Sequence, residues 1–292
     1  MTILNNELIN KFIDYGEIFT SGNNNYYHIN SNNITINLLD SCNHLGDVLF
    51  FTPLVAGLLD CGYNVTSHDN YNLINILFSL NNKNKVNSFH IARSFRPLIR
   101  KDIVAPGLIN FYSFQIGPAA MNLHNKFLSN LVYEKSLNLV KKNLIHLSKI
   151  YKNENLLHCI GDNNFVIVAP SFNSRKFGFY PNSFETAENF YSKIMYYKKL
   201  NRKIVLIGEV QADLLAMPVD WKNIADLDLR GLTKWFELPY IFSDSRCEGI
   251  ISFDTFPYHL SCLMDKSSVL FSRSWIAKYE SNWIRSRFMP AF

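Results

Sequence analysis

The sequence predicts an α/β protein with two successive domains, each built around a mostly parallel β-sheet. Short apolar runs typical of buried strands alternate with longer segments of helical periodicity. A polar break at residues 152–164 divides this pattern into two parts. The length of 292 residues fits two domains of roughly 100–200 residues each. Hydrophobic residues make up 48% of the chain and charged residues 18%, which suits folded cores and does not fit a disordered protein.

Residues 1–155 are predicted to form the first Rossmann-like domain, which includes a polar, Asn-rich extension at 1–31. A strand, a helix that ends at a glycine and a second strand follow one another directly, and this β-α-β order implies parallel strands. In chain order we expect a short helix at 7–15, strands at 34–40 and 64–69 around a helix at 48–62, a helix at 71–80, a strand at 86–91 and mainly helical structure at 106–151.

Residues 156–292 are predicted to form the second Rossmann-like domain, in which the same alternation starts again after the polar break. Ligands of such sheets bind beyond the carboxyl ends of the strands, so the loops that follow the strands are the places to look for a site. In chain order we expect strands at 165–171, 203–209, 224–229, 249–254 and 267–272, and helices at 181–200, at 232–242 and around His259.

Charge and cysteine content restrict the class of partner. The net charge of +5 suits an anionic substrate or contact with an anionic membrane surface, and it does not predict nucleic-acid binding. The longest apolar run, at 48–59, is too short to span a bilayer, and the N-terminus has no signal-peptide core. We therefore expect a cytoplasmic protein, with peripheral contact at the inner face of the membrane left open. Five cysteines without metal-ligand spacing are expected to be reduced: Cys42, Cys61, Cys159, Cys247 and Cys262.

Two carboxylates are expected at strand ends. Asp47 follows the first strand at the start of a helix, where it is either an acidic residue favoured by the helix dipole or a general base, with Gly46 allowing close approach of a substrate. Glu209 follows the strand at 203–209 and is either an exposed loop residue or an acceptor for sugar hydroxyls. Asp226 and Asp228 spell a DxD, but they alternate with apolar residues as in a half-buried strand, so we expect no metal site there.

Three further segments suit anionic ligands. Arg175 and Lys176, in the loop after the strand at 165–171, are either a solvated pair or cations that offset diphosphate charge. The segment Asp254-Thr255-Phe256-Pro257-Tyr258-His259 lies at a strand-to-helix turn, where phosphate can bind, although Asp254 alternatively caps the helix and His259 alternatively packs. The third segment contains four cations within nine positions, which either meet an anionic acceptor or form a solvated basic face: Arg93, Arg96, Arg100 and Lys101.

The order of these segments resembles that of glycosyltransferase family 9, the lipopolysaccharide heptosyltransferases. GDVLFFTPLVAGL resembles the family motif GDxLxxTPxxxxL, and LDLRGLTKWFELPYIFSDSRCEGIISFDTFPYHLSCLM is similar to LxGxTxLxELxxLxxxAxxxxxxDTGPxHLAxA. VIVAPSFNSRKFGFYPNSFETA looks like the family's strand, basic loop and helix, and IVLIGE resembles its strand ending in Gly-Glu. The resemblance runs over about residues 34–272.

The resemblance implies a GT-B fold, in which two Rossmann-like domains face each other across a cleft, and a donor that is usually ADP-heptose. By position, Asp47 would be the catalytic base, with Gly46 and the basic segment at 93–101 on the acceptor side. Arg175, Lys176 and Glu209 would contact the donor, together with Asp254, Thr255, Phe256 and His259. The expected reaction is an inverting, metal-independent sugar transfer that needs no cofactor. The alternatives are a binding protein without turnover and a GT-B-like nucleotide-sugar epimerase.

Phe256 stands where the family motif has a glycine. Glycine permits a left-handed backbone conformation that would strain a phenylalanine by roughly 1–2 kcal/mol. The turn therefore either has an ordinary φ here or tolerates strain at a functional site. The ring either lines a reshaped donor pocket, which we favour, or blocks that pocket, or points away from it.

Overall fold

A computed structural model of the chain describes residues 33–38, 45–60, 62, 64–68, 71–79, 86–88, 108–111, 130–170, 184–210, 221–253 and 255–271. The chain divides into two compact units, Met1–Asn143 and Leu144–Phe292. Each unit contains one sheet, and all strand pairs in both sheets are parallel. The α/β class and the parallel sheets predicted from the sequence are therefore confirmed.

The sheet of the first unit has the strand order β3-β2-β1-β4. Helix α1 connects β1 to β2 and is buried over residues 51–58, including an internal Pro53. A helix that is hydrophobic on all sides is normally buried on all sides. The burial of α1 therefore agrees with the lack of a polar face in its sequence. The elements of the first unit are β1 (Asn33–Leu38), α1 (Leu45–Asp60), β2 (Asn64–His68), α2 (Leu73–Phe78), β3 (Val86–Ser88) and β4 (Leu108–Phe111). Helix α3 (Asn130–Ile150) begins in the first unit and ends in the second.

The sheet of the second unit has the order β7-β6-β5-β8-β9. All residues of its central strand β5 are buried, as expected for a strand of a parallel sheet covered on both faces. The strands are β5 (Phe165–Ala169), β6 (Lys203–Leu206), β7 (Leu227–Asp228), β8 (Cys247–Phe253) and β9 (Ser267–Phe271). They alternate with helices α4 (Phe184–Lys199), α5 (Trp221–Ile224), α6 (Leu238–Ser243) and α7 (Phe256–Leu263). Two 3-10 helices lie at Glu154–Ile160 and Trp235–Glu237.

One core cluster of the second unit lies between the sheet and helix α4. Phe190 on α4 stacks on Phe253 of β8 with ring centroids 4.8 Å apart, and Ile194 is fully buried beside Val168 and Ile204. Strands β8 and β9 approach so closely at Gly249 that a Cβ there would lie 2.2 Å from the main-chain oxygen of Ser267. With a φ of +152° as well, this position of the sheet requires glycine.

The prediction of mainly helical structure at 106–151 is wrong in its first part. Residues Leu108–Phe111 form β4, which pairs with β1, and the helix that the structure describes in this range is Asn130–Ile150. The run Leu-Ile-Asn-Phe is too short for its periodicity to distinguish a strand from a helix. Pairing with β1 decides its conformation.

Two other predictions differ in detail. The helix expected at 232–242 begins with a 3-10 helix, and α6 follows from Leu238, with Pro239 in the first helical turn, where proline is favoured. The polar break expected at 152–164 contains the 3-10 helix Glu154–Ile160, which buries Leu157 and Ile160. The helix expected at 7–15 lies outside the described residues.

Within the part of the chain that the structure describes, no helix has both the length and the apolar character needed to cross a bilayer.

Candidate functional site

Each sheet has one point at which the strand order changes direction. In the first sheet, the chain runs from β1 outward to β2 and β3, and β4 then pairs on the other side of β1. In the second, it runs from β5 to β6 and β7, and β8 and β9 then add on the other side of β5. Ligands of open parallel sheets bind at the carboxyl ends of the strands at such switch points. The candidate sites therefore lie beyond β1 and β4 in one unit and beyond β5 and β8 in the other.

The sequence-predicted residues follow the strands at these switch points. Gly46 and Asp47 lie in the first turn of α1, the helix after β1. Thr255 follows β8, and Phe256 and His259 lie on α7, the next helix. Glu209 follows β6, the strand next to β5. The other predicted residues lie outside the described part of the chain: Arg93, Arg96, Arg100, Lys101, Arg175, Lys176 and Asp254.

Hydroxyl groups connect the end of β8 to the turn that follows it. The hydroxyl of buried Ser252 lies 2.9 Å from the main-chain oxygen of Phe253, to which it donates, and 3.0 Å from the hydroxyl of Thr255. Thr255 is extended, with a φ of −142° and a ψ of 167°, so the chain changes direction between it and the helix. Ser252 was not predicted from the sequence, because a serine within an apolar strand carries no recognisable signal.

The first turn of α7 offers few amide groups to an anion. Pro257 has no N–H, and the amides of Tyr258 and His259 donate to the main-chain oxygen of Thr255 at 3.0 and 3.3 Å. A phosphate at this helix end would therefore bind chiefly through the amide of Phe256 and the hydroxyl of Thr255, supported by the helix dipole.

Phe256 is the first residue of α7 and has an ordinary backbone conformation. Among the described residues other than glycine, positive φ values occur at Asn72, Asn201 and Asp265. Of the two backbone alternatives for Phe256, the ordinary φ is thus confirmed. Its ring is 9% exposed and meets the ring of Trp235 edge-on, with centroids 6.4 Å apart. The residue therefore joins α7 to the 3-10 helix Trp235–Glu237.

His259 is buried on α7, with 5% of its surface exposed. Its imidazole meets the ring of Tyr258 at 5.4 Å between centroids. The imidazole therefore lies inside the unit, one helical turn after Thr255. Contact with a ligand there would depend on the turn residues above it.

Glu209 follows β6, the neighbour of β5 on the side away from β8. The residue before it, Gly208, has a φ of +114°, and its oxygen accepts a hydrogen bond of 2.7 Å from the amide of Gly231. This turn directs the chain outward at the carboxyl edge of the sheet and leaves Glu209 exposed. Glu209 lies one strand away from the switch point.

The two carboxylates of the DxD segment bind neighbouring protein groups. Asp226 accepts hydrogen bonds from Lys203 Nζ at 3.0 Å and from the amide of Ile204 at 2.8 Å. Asp228 pairs with Arg230 through two hydrogen bonds, which hold the pKa of its carboxyl below the ordinary value. The contacts of Asp226 join β6 to the start of β7, whereas the pair of Asp228 and Arg230 lies within one segment of the chain. No group of three potential metal ligands occurs among the residues that the structure describes.

No family model matches the sequence, and no curated protein matches it. Among solved structures, the chain is similar to the glycosyl transferase family 9 from Veillonella parvula, with 14% identity and a TM-score of 0.47 over 83% of this chain and 81% of that one. It is also similar to E. coli heptosyltransferase WaaC with ADP, with 10% identity and a TM-score of 0.45 over 82% of this chain and 86% of that one. Neither similarity assigns a role to a residue of this chain.

Proposed function

We propose that this chain is a glycosyltransferase that transfers a sugar from a nucleotide diphosphate donor to a glycan or glycolipid acceptor. One observation carries the proposal: three of the four motif segments that resemble glycosyltransferase family 9 belong to the strands at the two switch points, β1 in one sheet and β5 and β8 in the other, and the fourth belongs to the neighbouring strand β6. The motifs are far apart in sequence, and nothing in their spacing requires this placement. The proposal includes a GT-B arrangement of the two units.

The donor side of the proposal lies at the end of β8 and the start of α7. A diphosphate is anionic, and the hydroxyl of Thr255, the amide of Phe256 and the dipole of α7 all favour negative charge at this place. Arg175 and Lys176, in the loop after β5, would add positive charge. Glu209, after β6, would accept hydrogen bonds from sugar hydroxyls of the donor. ADP is the nucleotide that the sequence resemblance favours.

The proposed reaction is a direct displacement at the anomeric carbon. Asp47 takes the proton of an acceptor hydroxyl, whose oxygen forms a bond to the anomeric carbon from the face opposite the leaving group. The bond between that carbon and the diphosphate oxygen breaks, and its electron pair leaves with the nucleoside diphosphate. Cationic side chains and backbone amides stabilise this developing charge without a metal ion.

The proposed acceptor is anionic and binds to the first unit. Four cations at 93–101 suit phosphates or acidic sugars of a lipid-linked glycan, which would also bring the protein to an anionic membrane surface. Replacement of Arg93, Arg96 and Arg100 by Gln is expected to raise the acceptor KM and leave donor affinity unchanged. Equal effects on both substrates would contradict this assignment.

Nucleotide binding tests the donor side without knowledge of the acceptor. Calorimetric titration with ADP, GDP, UDP and CDP, each with and without a chelator, is expected to show binding of a nucleoside diphosphate that the chelator does not weaken. The variant Thr255→Val, which keeps the shape of the side chain and removes its hydroxyl, is expected to bind that nucleotide more weakly. Binding that disappears with the chelator would contradict the metal-independent mechanism.

A binding protein without turnover is the second candidate. The presence of Phe256 where the family motif has glycine favours it, because a phenylalanine takes up volume that a glycine would leave free at the start of α7. Such a protein would bind a nucleoside diphosphate as above but release none from a nucleotide sugar, with or without an acceptor. Turnover of any nucleotide sugar would exclude it.

A further inference from the structure

Helix α4 presents apolar side chains to solvent beside its lysines. Tyr196 is 51% exposed, Tyr191 is 39% exposed and Leu200, directly after the helix, is 44% exposed. These residues lie within ten positions of one another. We call Tyr191, Lys193, Tyr196, Lys199 and Leu200 the α4 face.

The α4 face is not needed for packing within the unit. The helix contributes Phe190 and Ile194 to the core, and Tyr197 packs against the same cluster. This i, i+4, i+7 spacing places the buried stripe on one side of the helix. Tyr196 and Lys199 are exposed on another side. Tyr196 and Leu200 are thus not members of the core cluster, although the ring of Tyr196 meets that of Tyr197 edge-on at 5.5 Å between centroids.

The charge beside Tyr196 and Leu200 is positive, whereas the exposed Glu188 lies about one helical turn before Tyr191. Residues 189–202 include Lys193, Lys198, Lys199 and Arg202 and no aspartate or glutamate. Arg202 pairs with Glu248 from outside this segment at 2.7 Å. The ammonium group of Lys193 lies 4.9 Å from the centre of the Tyr196 ring, so a cation and an exposed aromatic ring occupy the same place on the surface.

We propose that the α4 face binds the surface of an anionic lipid bilayer. Tyrosine is favoured at the depth of the lipid headgroups because its ring is apolar and its hydroxyl is polar. Lysines attract anionic headgroups, and Leu200 can enter the boundary of the acyl chains. This assignment rests on the membrane contact of the proposed function and adds a site on the second unit to the basic segment at 93–101 of the first. Its test measures vesicle binding alone, so it stands or fails independently of transferase activity.

The observations favour a bilayer over a nucleic acid. Single-stranded nucleic acids bind by stacking bases on open aromatic faces, but Lys193 lies against the rings of both Tyr196 and Tyr197. The apolar side chain of Leu200 cannot hydrogen-bond or pair with a phosphate, whereas its transfer from water to a lipid surface is favourable. An anionic bilayer satisfies both the lysines and the apolar side chains.

Cosedimentation of the full chain with vesicles tests the proposal. We expect binding to phosphatidylcholine vesicles that contain phosphatidylglycerol, little binding to phosphatidylcholine alone, and weaker binding as salt is added. The double variant Lys193→Gln/Lys199→Gln is expected to bind about 25-fold more weakly, at about fivefold for each lysine. Tyr196→Ser/Leu200→Ser is expected to weaken binding to the same vesicles by about tenfold or more.

Helix α3 provides matched controls, because it also carries exposed lysines and an exposed isoleucine. Lys142→Gln/Lys149→Gln makes the same change of charge, and Ile145→Ser removes a side chain that is 49% exposed. Both are expected to change vesicle binding by no more than about twofold, since neither touches the α4 face. The proposal is overturned if these controls lose as much binding as the α4 variants, or if the chain binds single-stranded oligonucleotides but not anionic vesicles.

Discussion

The hydroxyl of Thr52 donates a hydrogen bond of 2.7 Å to the main-chain oxygen of Leu49. In a regular helix this oxygen would accept from the amide of residue 53, but Pro53 has no N–H. Both Leu49 and Thr52 are buried, so water has little access to replace the missing donor. The Thr-Pro pair within α1 therefore compensates for its own proline, which gives a physical reason for finding these two residues together in the motif.

Removal of this hydroxyl is expected to destabilise the protein. Thr52→Val keeps the shape of the side chain but leaves a buried carbonyl unpaired, at a cost of about 1–3 kcal/mol in the free energy of unfolding. Thr52→Ser should lose less, because it retains the donor. In the double variant Thr52→Val/Pro53→Ala, the alanine amide can replace the donor, so the loss should be smaller than in Thr52→Val alone. Urea denaturation measures all three, and an additive or larger loss in the double variant would contradict the explanation.

Phe256 is expected to contribute both stability and shape to the start of α7. Phe256→Gly removes a buried ring that packs on Trp235, at a cost of about 3–5 kcal/mol. Phe256→Leu keeps much of the volume and is the matched control. At a temperature where both variants are folded, we expect weaker ADP binding in Phe256→Gly by calorimetry. A gain of affinity would mean that the ring blocks the donor pocket, and unchanged affinity would place Phe256 outside the site.

Acid is expected to weaken the contact between Asp244 and Arg246. Arg246 donates to both carboxylate oxygens of Asp244 and to the main-chain oxygen of Gly161, which joins the start of β8 to the end of a 3-10 helix. These hydrogen bonds lower the pKa of Asp244 in the folded protein. The resulting stability is present above the unfolded pKa of about 3.9 and is lost as the pH falls through the lower, folded pKa.

Replacement of Asp244 tests this pH dependence. Asp244→Asn should reduce the free energy of unfolding by about 1–2 kcal/mol at neutral pH. The difference from the wild type should shrink as the pH falls below about 4. Asp60→Asn is the control, since Asp60 pairs with Lys135 where both side chains are exposed, and such pairs contribute about 0–1 kcal/mol. A difference for Asp244→Asn that stays constant down to pH 2 would contradict the explanation.

The sequence was sufficient to predict the strands that are buried on both faces, because a continuous apolar run such as that of β5 indicates such a strand directly. It was insufficient for β4, whose four residues become a strand only through pairing with β1. Strand order was equally inaccessible, since it depends on pairs between distant segments. The switch points, which locate the candidate site, therefore required the structure.

At the candidate site, the sequence indicated Thr255 and His259 through a strand-to-helix turn. It did not indicate that Pro257 and the bonds to Thr255 reduce the amides available there. It also left open whether Phe256 needs a left-handed backbone, because that depends on where α7 begins. Trp235 was missed, since a tryptophan in a short segment carries no signal of its partner. Local sequence patterns thus indicated which residues could bind a ligand, while contacts between distant elements determined the surroundings of those residues.

The central claim is that Asp47, in the first turn of α1, is the base of a sugar transfer. Its most direct test is the rate of nucleoside diphosphate release from nucleotide sugars, ADP-heptose first, by wild type and Asp47→Ala. We expect turnover by the wild type and a loss of roughly 10²–10⁴-fold in the variant. ADP affinity should be unchanged, and stability should fall by only about 0.3–1 kcal/mol. Asp60→Ala, at the other end of the same helix, should keep full activity. Near-wild-type turnover by Asp47→Ala would contradict the account.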